Sequence, residues 1–232
     1  MGDINNDGLP DIYVCNDFYE HDYLYINRGD GTFKEDIKNQ MAHITMSSMG
    51  SDMADFNNDG YQDLFVVDML QEDDKRLKEL ADFESYDLYQ LKLSRDFHHQ
   101  FMQNTLQLNN GNNTFSEMAF MSGIAQTDWS WSPLIFDMDN DGYKDLFVTN
   151  GLFRDLTNQD FLNYFANSVI QKMAITGKRE EIEAIVSKMP STPIENYAFK
   201  YRADHHCLYH PQLPLNQSLL NCHKFRLFRS HQ

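Results

Sequence analysis

The chain of 232 residues is 41% hydrophobic and 13% aromatic, enough to bury the core of one or two domains. Its formal net charge of −16 disfavours nucleic acid and anionic membrane surfaces, which would repel it, and makes cations its natural partners. No run of about 18 apolar residues is present to insert into a bilayer. The opening MGDINNDG lacks the apolar core of a signal peptide, so a secreted protein of this sequence would be N-terminally truncated here. Its cysteines, Cys15, Cys207 and Cys222, are too few and too scattered for a disulfide framework or a cysteine zinc site.

The first element is an acidic nine-residue loop, DINNDGLPD at 3–11, which returns as DFNNDGYQD at 55–63 and DMDNDGYKD at 137–145. Each runs directly into an apolar stretch of β character: Ile12-Tyr13-Val14, Leu64-Phe65-Val66-Val67 and Leu146-Phe147-Val148. Each loop is therefore predicted to feed a strand. After the first strand comes LYINRGDGTFKE at 24–35, which returns 82 residues later as LQLNNGNNTFSE at 106–117, and the second and third loops share that spacing. Residues 24–66 thus align with 106–148 without a gap, an internal repeat of about 43 residues. Within it, Gly29-Asp30-Gly31 reads as a hairpin turn that uses positive φ. The second copy has Asn113 in place of Gly31, and asparagine also permits that conformation.

Residues 71–100 mix charges with Leu77, Leu80, Phe83, Leu88 and Leu91 at roughly helical spacing, predicting one or two amphipathic helices inserted into the β scaffold. Residues 157–189 also read as helical, with Thr157 as the N-cap and Gly177 breaking the run. From residue 200 the character changes: residues 201–232 carry four basic residues against one acidic, five of the nine histidines and two of the three cysteines. With neither a strand nor a helix period, this tail reads as frameshifted, foreign to the repeat or disordered.

In the second loop, oxygen-bearing side chains stand at positions 1, 3, 5 and 9 (Asp55, Asn57, Asp59, Asp63), with glycine at 6. Ca²⁺ takes six to eight oxygens at about 2.3–2.6 Å, and this spacing wraps a chain around one ion. The backbone carbonyl at position 7, Tyr61, adds another oxygen, and Gly60 allows the sharp turn. The matching ligands are Asp3, Asn5, Asp7, Leu9 (by its carbonyl) and Asp11 in the first loop, and Asp137, Asp139, Asp141, Tyr143 (by its carbonyl) and Asp145 in the third. With four carboxylates the third loop is predicted to bind most tightly. An EF-hand would need glutamate at position 12; Val14, Val66 and Val148 stand there. An all-oxygen set disfavours zinc, copper and iron, while Mg²⁺ would keep more water. A single such loop could be a metal-free Asx turn; three in phase favour about three structural Ca²⁺ sites, since crowded carboxylates repel without an ion.

The DxNxDGxxD loop with its strand, together with the L-Y-x-N-x-G-D-G-T-F hairpin, resembles the FG-GAP or VCBS repeat of integrin-type propellers and of large secreted bacterial proteins. The resemblance covers residues 1 to about 150; the insertions and DWSWSP resemble bacterial members that end in an ASPIC/UnbV-type domain. It implies β-propeller blades with Ca²⁺ in an inter-strand loop, no catalytic role, and a place outside the cell or on its surface. Asn196-Tyr197-Ala198-Phe199-Lys200 resembles the start of another hairpin, but Tyr201-Arg202-Ala203 follows where family members have Asn-Gly-Asp.

Asp68, Glu72, Asp73 and Asp74 could be read as glycosidase carboxylates, but an acidic run opening a helix is usually its solvated first turn. Of Trp129 and Trp131, which could stack on sugar rings, Trp131 aligns with Met49 on a strand and is assigned to the core. His98 and His99 are assigned to solvent. The sequence therefore predicts an all-β fold, a partial β-propeller of roughly three blades at 1–156. Residues 157–199 hold a helical insertion and the start of a further blade. The function expected is a noncatalytic Ca²⁺-binding interaction module, extracellular or at the cell surface. It would offer loops and insertions to a protein or glycan and adjoin the remaining blades of a longer chain. The alternatives are the scaffold portion of a larger secreted enzyme and, more weakly, a glycan hydrolase using Asp128 or Glu72.

Overall fold

Each acidic loop opens onto an antiparallel sheet in the computed structural model, which describes residues 1–17, 20–80, 84–176, 185–202 and 207–209. The first sheet is β1 (Ile12–Val14), β2 (Tyr23–Asn27) and β3 (Phe33–Glu35). Helix α1 (Ile37–Gln40) and the short strand β4 (Ile44–Thr45) follow. The second sheet begins with β5 (Gly50–Ala54) and β6 (Asp63–Val67). An insertion then carries α2 (Asp74–Leu80), α3 (Tyr86–Ser94) and β7 (Gln100–Phe101), which pairs in parallel with β4. The sheet resumes with β8 (Thr105–Asn109) and β9 (Phe115–Glu117), in the order β5-β6-β8-β9. Helix α4 (Ala119–Ser122) leads to the third sheet, β10 (Ser130–Phe136), β11 (Asp145–Asn150), β12 (Tyr197–Arg202) and β13 (Cys207–Tyr209). Between β11 and β12 a helix begins with π geometry at Phe161–Ala166 and continues as α5 (Asn167–Thr176).

The three sheets are successive blades, and their faces make the core. Leu64 and Val66 of β6 join Ile4, Tyr13 and Leu24 of the first blade in one buried cluster. Phe65 and Val67, pointing the other way, join Leu146, Val148 and Phe199 of the third blade in another. Because successive strand residues face opposite sides, a strand sandwiched between two blades is buried on both faces, here through the apolar run 64–67 after Asp63. All five residues of β6 are buried. Gly50 lies where β5 meets β10: a Cβ there would stand 2.6 Å from the Trp131 carbonyl oxygen, so only glycine allows the strands to approach this closely. The architecture is an open, partial β-propeller with helical insertions, as the repeats predicted.

The hairpin turns form as read, with Gly29, Gly31, Gly111 and Asn113 all at positive φ between 62° and 85°. Five expectations change. Asn158, not Thr157, caps the helix after β11, its Oδ1 accepting from Phe161 N at 2.8 Å. Helix α3 buries no residue, and Leu88 and Leu91 are 44% and 52% exposed, because it stands away from the blade faces. Trp131 lies on β10 but is exposed, while His98 is buried with Nε2 2.9 Å from the Met41 carbonyl. The segment around Tyr197 does not start a further blade: β12 pairs with β11, so it is the third strand of the same sheet. Phe83, Gly177 and residues 210–232 of the predicted tail lie outside the described residues.

Candidate functional site

The three acidic loops share one backbone course. The asparagine at position 4 has positive φ in each (Asn6 57°, Asn58 58°, Asn140 60°), as does the glycine at position 6 (Gly8, Gly60, Gly142). The two reversals fold the loop over its first carboxylate. Asp3 accepts from Asp7 N and Gly8 N at 3.0 and 2.8 Å, Asp55 from Asp59 N and Gly60 N at 2.9 Å each, and Asp137 from Asp141 N and Gly142 N at 3.0 and 2.8 Å. The aspartate at position 5 accepts from the position 7 amide, 2.8 Å at Leu9 and 2.9 Å at Tyr61 and Tyr143. Asparagine tolerates the left-handed region because its short amide finds local partners.

Position 9 has a second role that its spacing did not reveal. Asp11, Asp63 and Asp145 are completely buried. One carboxylate oxygen takes the position 2 amide, from Ile4, Phe56 or Met138, at 2.8–2.9 Å. The other takes an amide from the strand that pairs with the one following the loop (β2, β8 or β12), from Asn27, Asn109 or Tyr201, at 2.8–2.9 Å. Each aspartate thus clips its loop to the neighbouring strand of the same sheet. Burial pushes the Asp63 carboxyl up to about 7, against the two amides that favour its charge. Tyr201, the departure from the expected Asn-Gly-Asp, keeps the backbone half of this clip and stacks its ring on Tyr143 with centroids 5.3 Å apart.

The third loop brings one oxygen each from Asp137, Asp139 and Asp145 within 4.8 Å of one another, a group that could hold a metal ion. The oxygens are hard and the spacing is short, which suits Ca²⁺ or Mg²⁺. Lys200 on β12 forms an ion pair with Asp139, so an ammonium already shares this loop's charge. In the first two loops position 3 is asparagine, whose side-chain amide donates to the position 5 aspartate at 2.9 Å in both. A carboxylate oxygen has more than one lone pair, so the amides already bound leave capacity for a cation in each loop.

Two features outside the loops were missed in the sequence. The first is a polar junction between blades, repeated at the same 82-residue spacing. In one copy Asp22 accepts from Tyr13 Oη and Ser48 Oγ, both at 2.5 Å, from Asn16 N at 2.8 Å and from Thr45 Oγ1 at 3.1 Å. Asp68, fully buried, accepts from Met46 N and Ser47 N at 3.0 and 3.1 Å. In the other copy the acids are amides. Asn104 donates to Thr127 Oγ1 at 2.6 Å, and Ser130 Oγ donates to Asn150 Oδ1 at 2.7 Å. Burial raises the Asp22 carboxyl and pushes Asp68 up to about 7.

The second is a cleft of 560 Å³ beside α2, lined by residues that include Glu72, Asp73, Arg76, Asp128 and Tyr197. Arg76 binds Asp128 through two nitrogens at 2.7 and 3.0 Å and reaches Asp155 at 3.3 Å. Tyr197 donates its hydroxyl to Glu72 at 2.7 Å. Asp68 does not line this cleft, which separates it from the other carboxylates of the proposed glycosidase cluster.

Three consecutive blades with one loop design define a propeller-type repeat protein. A family model described as FG-GAP-like repeat matches residues 3–66 and 95–148, and the chain belongs to that family. A comparison with curated proteins finds no match.

Proposed function

We infer that this chain is a Ca²⁺-stabilised, noncatalytic interaction module in which the three acidic loops each hold one structural ion. The observation that carries the reading is the cluster of Asp137, Asp139 and Asp145 oxygens within 4.8 Å on a loop whose course is repeated in the other two. The ligand sets are those named from the sequence, with the position 7 carbonyls of Leu9, Tyr61 and Tyr143 completing them. Bound Ca²⁺ would offset the repulsion among carboxylates and tie each loop to its blade.

The insertion is the proposed binding surface. It carries exposed apolar side chains on α3, Tyr86 at 73% and Leu91 at 52%, and a long insertion on one face of a repeat scaffold is a common place for recognition. Its cleft offers carboxylates that can accept from sugar hydroxyls or lysine side chains of a protein or glycan ligand. Further blades of a longer chain would cover the outer face of β10. There Trp131, Leu134 and Phe136 are 45%, 51% and 37% exposed, whereas their counterparts Met49 and Ala54 pack against the cluster between the second and third blades. Millimolar Ca²⁺ outside the cell would keep such loops filled, which supports an extracellular or cell-surface location.

Calorimetric titration of Ca²⁺ into chelator-stripped protein, with thermal melts at zero and millimolar Ca²⁺, tests the reading. Binding near three ions per chain with a raised melting temperature is expected. No heat and no stabilisation would overturn it. The hydrolase alternative rests on the carboxylates of the cleft; release of reducing sugar from polysaccharides by wild-type protein, abolished in Glu72→Gln, would favour it over the noncatalytic reading.

A further inference from the structure

The acidic loops touch one another, and the contact repeats. Asn6, at position 4 of the first loop, donates its side-chain amide to the Gly60 carbonyl of the second loop at 3.0 Å. Asn58, at position 4 of the second, donates to the Gly142 carbonyl of the third at 3.2 Å. Both donors lie in the left-handed conformation that turns their side chains out of their own loop, and both acceptors are the position 6 glycine. Asn140 reaches no fourth loop among the described residues.

The peptide unit that receives this bond is also bound at its other end. The plane holding the Gly60 carbonyl holds the Tyr61 N–H, which donates to Asp59 Oδ1 at 2.9 Å. In the third loop the Gly142–Tyr143 plane is fixed in the same way by Asn58 and by Asp141 Oδ1 at 2.9 Å. Asp59 and Asp141 are the position 5 ligands, and the next carbonyls along the chain, those of Tyr61 and Tyr143, are the position 7 ligands. Each asparagine therefore holds, from the neighbouring blade, the peptide that orients two ligands of the following loop. A second link joins the first two loops, where Asn109 Nδ2 donates to the Ile4 carbonyl at 2.8 Å while Asn109 N holds Asp63. Tyr201 replaces this asparagine at the next blade and sets its ring between Phe56 of the second loop and Tyr143 of the third, while Asn58 supplies a side-chain hydrogen bond from the second loop to the third.

We propose that Asn6 and Asn58 are positioning residues that couple the ion sites, so that filling either of two adjacent loops favours filling of the other. This rests on the Ca²⁺ reading above. An ion in the second loop orders the loop that carries Asn58, and ordering it lowers the cost of arranging the third loop. Coupling of this kind needs no displacement of the blades, only a loop that is mobile when empty.

The test compares Asn58→Gly with Asn140→Gly in the full chain. Glycine accepts positive φ without strain, so each change removes a side chain and leaves the turn permitted. Ca²⁺ titrations followed by two-dimensional NMR read the Gly60 and Gly142 amides separately; each donates to the first carboxylate of its own loop. Asn58→Gly is expected to weaken the third loop by about three- to tenfold, the value of one hydrogen bond, and to separate its titration from that of the second. Asn140→Gly is expected to leave the second and third loops together. Equal effects of the two variants, or an unshifted Gly142 titration in Asn58→Gly while wild-type protein binds Ca²⁺, would overturn the coupling alone. Failure of wild-type protein to bind would overturn both the coupling and the Ca²⁺ reading.

Discussion

The two polar junctions between blades occupy equivalent positions 82 residues apart and handle charge in opposite ways. The first buries Asp22 and Asp68 against hydroxyls and backbone N–H groups. The second has Asn104 and Asn150 at those positions but gains a carboxylate, Asp128, where the first has Met46. That carboxylate is paired with Arg76, which reaches across from the insertion. Burial without a cation raises the proton affinity of Asp22 and Asp68, whereas a carboxylate paired with guanidinium locks the partner element in place. The same frame thus gives a titratable junction on one side of the middle blade and an anchored insertion on the other.

Removing the anchor should have the largest effect. Arg76→Met leaves Asp128 and Asp155, with side chains 7% and 3% exposed, without a cation, and a cost of about 3–5 kcal/mol is expected in chemical denaturation. A loss below about 1 kcal/mol would mean that the insertion is not anchored there.

Asp68→Ala should follow. It orphans the Met46 and Ser47 amides at a site with no exposure, costing about 2–3 kcal/mol. Asn150→Ala, at a half-buried position, should cost about half as much. Equal losses would erase the contrast between the junctions.

The pH dependence sharpens it further. A carboxyl whose folded pKa lies above its unfolded value binds its proton more tightly in the folded state. Its contribution to stability is fully present below about pH 4 and is lost as pH rises through the folded value. With Asp68 and Asp63 both pushed up to about 7, chelator-treated protein should lose stability between about pH 4 and 7, by at most about 1.4 kcal/mol per unit for each group. Asp68→Asn should flatten that slope in melts across the range, leaving the shares carried by Asp63 and Asp22. An unchanged slope would remove Asp68 as its source.

The smallest effect concerns the loops. Lys200→Met frees Asp139 of its ammonium partner. The third loop should then bind Ca²⁺ about two- to fivefold more tightly in calorimetry, in keeping with the modest worth of partly exposed ion pairs.

The acidic loops, the strands after them and the hairpins were legible because they depend on neighbours in the chain. Asx-prone residues and glycines at fixed offsets set the turns, and unbroken apolar runs such as 64–67 mark strands covered on both faces. Repetition at 82 residues also held the junctions within reach: Asp22, Thr45, Ser48 and Asp68 recur as Asn104, Thr127, Ser130 and Asn150, but no local pattern distinguishes a buried Thr-x-x-Ser from an exposed one. His98 was misassigned for the same reason, since the covering Met41 segment lies far away in the chain.

The sequence by itself determined the repeat, the course of each loop and which residues could ligate an ion, since these follow from backbone freedom and carboxylate spacing over nine residues. Only the tertiary structure decided that the ninth aspartate clips loop to strand, that the fourth asparagine reaches the following loop, and that Arg76 closes on Asp128. Each depends on blades meeting across tens of residues, where packing of the two apolar faces of β6, not local propensity, sets which polar groups come within hydrogen-bonding distance.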